Sequence, residues 1–231
     1  MTSIAIVGDS FGCGEWAIES EDKSLCTHKG SEYFLQKIGY DVKNYSKPSS
    51  SNQQILEQIK SNKIKNQWLI VFASESLRKI QNLSISIEQM YLKKKYSIKK
   101  IHETLFLDWA NNLSNLTKKQ SCNVILIGGH ANIYKSFIPS NHVTILTHSW
   151  ISDILNTAIG DLSSIDHKTL DFFMTLNSVQ SDEQKLEMID IITQKSKRLN
   201  KMANHPNFKD NVHPDRICHE KLSYRISKII G

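Results

Sequence analysis

Three residues from opposite ends of the chain have the types and spacing that nucleophilic catalysis needs. Ser10 follows the apolar run Ile4 to Val7 in SIAIVGDSFGCGEW, and Asp210 precedes His213 by three residues in DNVHP. A serine hydroxyl becomes an effective nucleophile when an imidazole takes its proton, and a carboxylate can orient that imidazole through its other ring nitrogen. The spacing predicts that Asp210 accepts the Nδ1 proton of His213 and leaves Nε2 to act as a base, while the glycine-rich turn at Ser10 could be a nucleophile turn, a phosphate cradle or a tight loop.

Apolar runs and helical periodicity predict the elements that would position these residues. Strands are predicted in SIAIV, YDVKNYS, QWLIVFA, CNVILIGG and HVTILTH, and helices in GSEYFLQKIGY and SSSNQQILEQIKS. A last helix is predicted to begin at Pro214, with an apolar stripe of Ile217, Leu222, Ile226 and Ile229 or Ile230. Strands that alternate with helices indicate a parallel sheet covered by helices, whose carboxyl edge is the usual place for a ligand.

Two segments are longer than a simple crossover between strands requires. Residues 75–120 and 148–204 are mostly helical in pattern, and no linker or repeat separates them from the rest. We therefore expect a single domain, residues 1–231, that carries these two segments as helical insertions standing partly over the Ser10 turn.

Composition and charge exclude several classes of function. The net charge of +6 comes from scattered lysines, which are typical of solvated helix faces, so no nucleic-acid partner is predicted. No apolar run is long enough to span a membrane, and Met1 runs almost directly into the first strand, which predicts no signal peptide and a cytoplasmic location. The four cysteines lack CxxC spacing, so neither a metal site nor a disulfide framework is expected.

In three segments the sequence resembles the GDSL or SGNH hydrolases. IAIVGDSFGCG is similar to the first block of that family, NYSKPSSSNQQI to the second, and DNVHPDRICHEKLSYRI to the last, in the family's order. The resemblance implies a three-layer α/β sandwich with a flavodoxin-like parallel sheet of about five strands. It also implies Ser10 as nucleophile, His213 as general base and Asp210 as its orienting partner. The substrate it implies is a small-molecule or glycan ester, with no cofactor.

The chain departs from the family in the groups that would stabilise an oxyanion. The glycine of the second block is replaced by Ser49, and the asparagine of the third block is absent from VFASESLR, where Ser74 or Ser76 stands. A tetrahedral intermediate needs donors already in place, and losing one costs roughly 10²–10³ in rate. The candidate donors or supporting groups are Ser10, Ser49, Asn52, Ser74, His130 and Asn132.

Other interpretations remain open from the sequence alone. His205 also precedes a proline and is the rival of His213 as base, although Met202 stands where an aspartate would be needed. The glycines around Ser10 follow a GxxxGxG spacing, which disfavours a dinucleotide-binding turn, and Cys13 is interpreted as a packing residue. The function favoured is that of an esterase or deacylase acting on a small or carbohydrate-borne O-acyl ester. The alternative is a catalytically weak binding or structural module, for example one associated with a virion.

Overall fold

A computed structural model describes residues 1–20, 23–65, 67–78, 87–94, 96–157, 167–176 and 180–231. Its strands are β1 (Ser3–Val7), β2 (Glu15–Ser20), β3 (Lys23–His28), β4 (Asp41–Asn44), β5 (Trp68–Ala73), β6 (Asn123–Gly128) and β7 (Val143–Thr147). Five of them form a parallel sheet in the order β4-β1-β5-β6-β7. Counted without β2 and β3, this is the flavodoxin-like order 2-1-3-4-5, which confirms the predicted fold class.

Helices cover both faces of the sheet. They are α1 (Ser10–Cys13), α2 (Ser31–Lys37), α3 (Asn52–Ser61), α4 (Ile98–Lys119), α5 (Trp150–Leu155), α6 (His167–Thr175), α7 (Asp182–Ala203) and α8 (Arg216–Ile230), with a π-helical turn at Gln89–Lys93. No helix within the described ranges has an apolar stretch long enough to cross a membrane.

Alternation along the strands divides the core into two layers. Ala5 and Val7 of β1 pack with α3 and the second half of α4, whereas Ile4 and Ile6 pack with α2, α5 and α8. Successive strand residues point to opposite faces of a sheet, so a fully apolar strand supplies both layers at once. The result is the predicted three-layer sandwich, with the ends of the strands left free for a site.

The last helix begins later than the sequence pattern predicts. Asp215 is its N-cap and accepts a hydrogen bond from the Cys218 backbone, so Pro214 lies before the helix rather than in its first turn. Ile217 is 50% exposed while Cys218 is buried, which corrects the predicted apolar stripe at its first position. Leu222 and Ile226 are buried as predicted, so the difference is confined to the first turn, where a thiol packs in place of the isoleucine.

The two predicted insertions share a third cluster of apolar residues. It joins the first half of α4 and the π-helical turn to α6 and α7, through Leu77, Tyr91, Ile101, Phe173 and Ile191 among others. Helix α4 therefore belongs to both the insertions and the main sandwich, since its second half packs against the sheet. Much of the first predicted helical pattern, residues 79–86, lies outside the described residues, as do residues 158–166 and 177–179.

A short hairpin between the first strand and α2 was not predicted. Strands β2 and β3 pair antiparallel as a separate two-stranded sheet. The hairpin begins one residue after Gly14, which has φ 137°, and a Cβ at Gly14 would lie 2.0 Å from the carbonyl oxygen of His28. Only glycine permits this close approach, which folds the base of the hairpin against the turn that carries Ser10.

Candidate active site

Ser10, His213 and Asp210 form a continuous chain of hydrogen bonds at the carboxyl edge of the sheet. Ser10 Oγ lies 2.8 Å from His213 Nε2, and His213 Nδ1 lies 2.5 Å from Asp210 Oδ2. Ser10 is the first residue of α1, directly after β1, while the other two lie on the loop before α8. The fold thus brings into hydrogen-bond contact two residues that are 203 positions apart in the sequence.

The loop around Asp210 fixes the protonation of the histidine. Asp210 Oδ1 accepts the backbone N–H groups of Val212, at 3.1 Å, and of His213, at 2.7 Å. Burial opposes ionisation, but the hydrogen bonds from His213 and from these two amides hold the pKa of Asp210 below its usual value. A carboxylate only accepts, so His213 Nδ1 carries the proton and Nε2 accepts the hydroxyl proton of Ser10.

Two aromatic rings pack against the imidazole of His213. The Trp16 ring lies over His213 with its centroid 5.1 Å away and a tilt of 30°, and the Phe11 ring is 5.4 Å from it. Trp16 Nε1 also donates to the backbone carbonyl of Ser10 at 2.9 Å. The unpredicted hairpin therefore touches both the serine turn and the histidine, and it narrows the positions that either can adopt.

Glu15 connects the start of the β2–β3 hairpin to the loop that carries Asp210 and His213. Its carboxylate accepts from Arg216 Nε at 2.8 Å, from the Arg216 backbone at 3.0 Å and from Lys209 Nζ at 3.0 Å. Burial raises the pKa of Glu15, but these hydrogen bonds and charges outweigh it and lower the pKa to about 2. Because Lys209 and Arg216 flank Asp210 and His213, this cluster anchors the loop at both ends.

Replacing Glu15 with glutamine is expected to destabilise the fold in a pH-dependent way. A depressed pKa means that the contribution is complete above the ordinary glutamate value of 4.5 and is lost as the pH falls through about 2. Allowing for the half-exposed cations, we expect the free energy of unfolding at pH 7 to fall by about 2 kcal/mol. Urea unfolding should show this difference shrinking by more than about half between pH 6 and pH 3.

Glu57→Gln is the matched control, because Glu57 pairs with Lys60 on an exposed helix face and both side chains are more than half exposed. That variant should leave the unfolding midpoint nearly unchanged. A Glu15→Gln difference that stays constant from pH 6 to pH 3 would contradict the assigned charge cluster.

A second buried carboxyl group, that of Asp9, lies next to Ser10 in the chain. Asp9 is fully buried, and Arg78 Nη1 lies 3.2 Å from its Oδ2, 3.4 Å from the Ser50 carbonyl and 3.3 Å from Ser74 Oγ. Burial raises the pKa of Asp9 above its usual value, although Arg78, the Phe11 amide and the Ser74 hydroxyl offset part of this rise. Ser74 Oγ accepts from Arg78 and its side chain is fully buried, which makes it a poor candidate for an oxyanion donor.

Ser49 occupies a backbone conformation that favours glycine. The Ser50 amide donates to the Lys47 carbonyl at 3.2 Å, and Ser49 has φ 57°. With Pro48 at the second position, this is the pattern of a type II turn, whose third residue takes a positive φ. The Ser49 N–H does not close such a turn, so it remains available as a donor. The left-handed conformation costs a serine roughly 1–2 kcal/mol.

The remaining candidate donors and the rival base make contacts of their own. Asn52 Oδ1 accepts the Ser74 amide at 2.8 Å, so Asn52 supports the end of β5. His130 packs its ring 5.7 Å from Phe11, and Asn132 is half-buried two residues further on. His205, the rival base, has its Nδ1 3.3 Å from the Asn207 amide, and the atom facing Ser10 belongs to His213.

The glycines that raised the dinucleotide alternative have packing roles. A Cβ at Gly8 would lie 2.8 Å from the Cβ of Phe72, and one at Gly12 would lie 2.3 Å from Ser46 Oγ. Both positions bring the turn into contact with neighbouring backbone and side chains. The absence of side chains is thus explained by close packing of the protein on itself, and a cradle for phosphate is not needed to account for it.

Comparison with known proteins gives remote matches to solved structures only. No protein-family model matches the chain, and no curated protein matches it. An acetyl xylan esterase from Geobacillus stearothermophilus is similar over 100% of this chain and 94% of that one, at 14% identity and a TM-score of 0.39. An aryl esterase from M. smegmatis is similar over 100% and 98%, at 10% identity and a TM-score of 0.43.

A third similar structure is a Bacillus subtilis protein, at 13% identity and a TM-score of 0.43 over 98% of this chain. The chain spans about half of that protein, 55% of its length. In the present chain, the 2-1-3-4-5 sheet order brings the GDS turn and the DNVHP loop together at the carboxyl edge. The chain has a flavodoxin-like α/β fold, and it brings together at one sheet edge two of the segments that resemble the GDSL/SGNH hydrolases.

Proposed function

We propose that this protein is a serine-dependent ester hydrolase acting on a small or carbohydrate-borne O-acyl ester. The observation that carries the proposal is the hydrogen-bonded chain from Ser10 Oγ through His213 to Asp210. Each member has the partner its role requires. The Ser10 hydroxyl contacts His213 Nε2, which can accept its proton, and the Asp210 carboxylate contacts Nδ1, the other ring nitrogen.

The reaction follows from these positions. His213 Nε2 takes the Ser10 proton as Oγ attacks the ester carbonyl, and the carbonyl electrons move onto the oxygen to give a tetrahedral oxyanion. Collapse of this intermediate breaks the bond to the alcohol, which leaves with the proton from His213, and Ser10 stays acylated. Water then attacks the acyl group with His213 again as base, which releases the acid and restores the serine.

Two backbone groups support an oxyanion site. Ser10 is the first residue of α1, so its N–H has no partner within the helix, and the Ser49 N–H lies on the type II turn described above. His130 and Asn132 remain candidates for a third donor. Ser74 is the weakest candidate, because its side chain is fully buried and its Oγ lies against the Arg78 guanidinium.

The substrate class rests on the surroundings of the histidine. The half-buried indole of Trp16 is the aromatic surface beside His213, and it offers a flat apolar wall to a short acyl chain or to a sugar ring.

Covalent labelling tests the proposal directly. A fluorophosphonate reacts with an activated serine with loss of fluoride, which leaves a phosphonyl ester on Oγ. We expect one equivalent on Ser10, located by peptide mass mapping, and no labelling of a His213→Ala variant. Ser61→Ala, at an exposed helix end, should label like the wild type. Absence of label, or label on a different serine, would refute the assignment of Ser10 as nucleophile.

The residue after β5 favours a second candidate function, that of a binding module. Ser74 stands there with its side chain fully buried against Arg78, so the oxyanion site is weaker than one with a side-chain amide at that position. A protein that labels at Ser10 but hydrolyses no ester would be a binding module that keeps the triad geometry. Turnover that depends on Ser10 excludes this alternative.

A further inference from the structure

Gln58 of α3 makes three buried hydrogen bonds beneath the proposed oxyanion site. Its side-chain Oε1 accepts the Gly8 amide at 3.0 Å, and its Nε2 donates to the Gly8 carbonyl at 3.1 Å and to Ser50 Oγ at 3.0 Å. The residue is 5% exposed. A buried carboxamide with both ends satisfied has one orientation, because reversing it would bring donors against donors.

The hydrogen bonds to Gly8 begin where the pairing of β1 with its two neighbour strands ends. The ladder of β1 ends with Ile6 opposite Asn44 on one side and Val7 opposite Val71 on the other. Gly8 is therefore the first residue beyond the sheet, and a buried backbone there needs another partner for its N–H and C=O. The Gln58 carboxamide supplies a donor and an acceptor together, and it holds the chain in place where it turns into Asp9 and Ser10.

The bond to Ser50 connects this point with the second-block loop. Ser50 closes the type II turn that presents the Ser49 N–H, and the Lys47 amide at the start of that turn also donates to the Gly8 carbonyl, at 3.1 Å. One side chain thus contacts the residue before the nucleophile turn and the residue after Ser49. The Gln58 carboxamide, together with the Lys47 amide, therefore sets the position of the Ser10 turn relative to the Ser49 turn.

We propose that Gln58 is the positioning residue of the oxyanion site, fixing the Ser10 N–H relative to the Ser49 N–H. The inference rests on the proposed hydrolase function. Oxyanion donors act only when they lie about 2.7–3.1 Å from the developing charge. A displacement of about 1 Å, within what loss of three hydrogen bonds allows, costs about 10²-fold in rate.

The test compares Gln58→Leu, Ser50→Ala and the control Gln184→Leu. Gln184 is 4% exposed and bonds through its carboxamide to the backbone of Tyr91, Tyr96 and Ser181, far along the chain in the insertions. We expect Gln58→Leu to lower kcat about 10²-fold with little change in KM, since the contact acts in the transition state. Gln184→Leu should lower the melting temperature comparably and leave kcat unchanged.

Ser50→Ala keeps both Gly8 bonds and removes only the hydrogen bond between Gln58 and the second-block loop. It should fold even where the leucine variant does not, and we expect a fall of about 10-fold in kcat. A folded Gln58→Leu with wild-type kcat would overturn the inference. So would a Ser50→Ala with unchanged kcat, if the leucine variant fails to fold.

Amide hydrogen exchange separates this inference from the proposed function. In the Gln58 variant, the amides of Gly8 and Lys47, which donate to Gln58 and to the Gly8 carbonyl in the wild type, should exchange faster, whereas in the Gln184 variant they should not. A wild-type protein without Ser10-dependent turnover would refute the hydrolase function. Exchange at Gly8 and Lys47 would still decide the positioning claim, and unchanged exchange would reject it.

Discussion

Replacing Ser10 with alanine is expected to lower ester turnover by about 10⁴–10⁶-fold, as loss of a triad nucleophile does in serine hydrolases. The alanine removes Oγ, the atom that lies 2.8 Å from His213 Nε2, and leaves the backbone N–H in place. Substrate affinity should therefore change far less than kcat. The measurement is the hydrolysis of p-nitrophenyl esters of increasing acyl chain length, with wild type and variant assayed side by side at several pH values.

Cys13→Ala is the matched control, because Cys13 ends the same helical turn that Ser10 begins. Burial raises the pKa of its thiol to about 12, so almost no thiolate is present at neutral pH and the thiol is not a competing nucleophile. The control should keep wild-type turnover. Full activity of Ser10→Ala, or loss of activity in Cys13→Ala alone, would reject the serine mechanism.

The parallel sheet could be predicted because its three central strands are short apolar runs. β1, β5 and β6 are buried on both faces, so their sequences are apolar without interruption, and turn or capping residues mark where they end. The β2–β3 hairpin has no such run. Its strands form a two-stranded sheet, and Ile18 and Leu25 remain exposed, so no buried face imposes a regular pattern.

The three residues of the proposed triad could be singled out because each lies in a local motif, whereas the groups that contact them could not. Glu15, Trp16 and Arg78 act through partners that are distant in sequence: Glu15 on Arg216, 201 residues away, and Arg78 on Asp9, 69 residues away. Such pairs exist only after the chain has folded. The signal that could have been followed is a charged or aromatic residue beside the glycine turn.

Ser49 shows why a sequence departure need not change the backbone. Pro48 favours the second position of a type II turn, and the Lys47 amide is bound to the Gly8 carbonyl, so the turn is fixed on both sides of Ser49. The serine then adopts the positive φ that a glycine would take at no cost. The motif predicts a glycine, but the fold needs only the conformation.

Replacing Asp210 with asparagine is expected to lower kcat by about 10⁴-fold while the loop keeps its shape. The asparagine carbonyl oxygen can still accept the Val212 and His213 amides that Oδ1 accepts in the wild type. Its NH₂ group then faces His213 Nδ1, at the place where Oδ2 lies at 2.5 Å. Because two donors cannot share that contact, the imidazole proton moves to Nε2, the nitrogen that must accept the proton of Ser10.

The control for this substitution is Asp215→Asn, five residues further along the same loop and helix start. Asp215 is buried and caps α8 through the Cys218 amide at 2.9 Å, and asparagine is an equally good cap. That variant should keep both its melting temperature and its turnover. For Asp210→Asn we expect the same melting behaviour, with the loss confined to kcat and with fluorophosphonate labelling of Ser10 slowed in parallel. Near-normal turnover in Asp210→Asn would show that Asp210 does not set the tautomer of His213, and it would leave Ser10 and His213 acting as a pair.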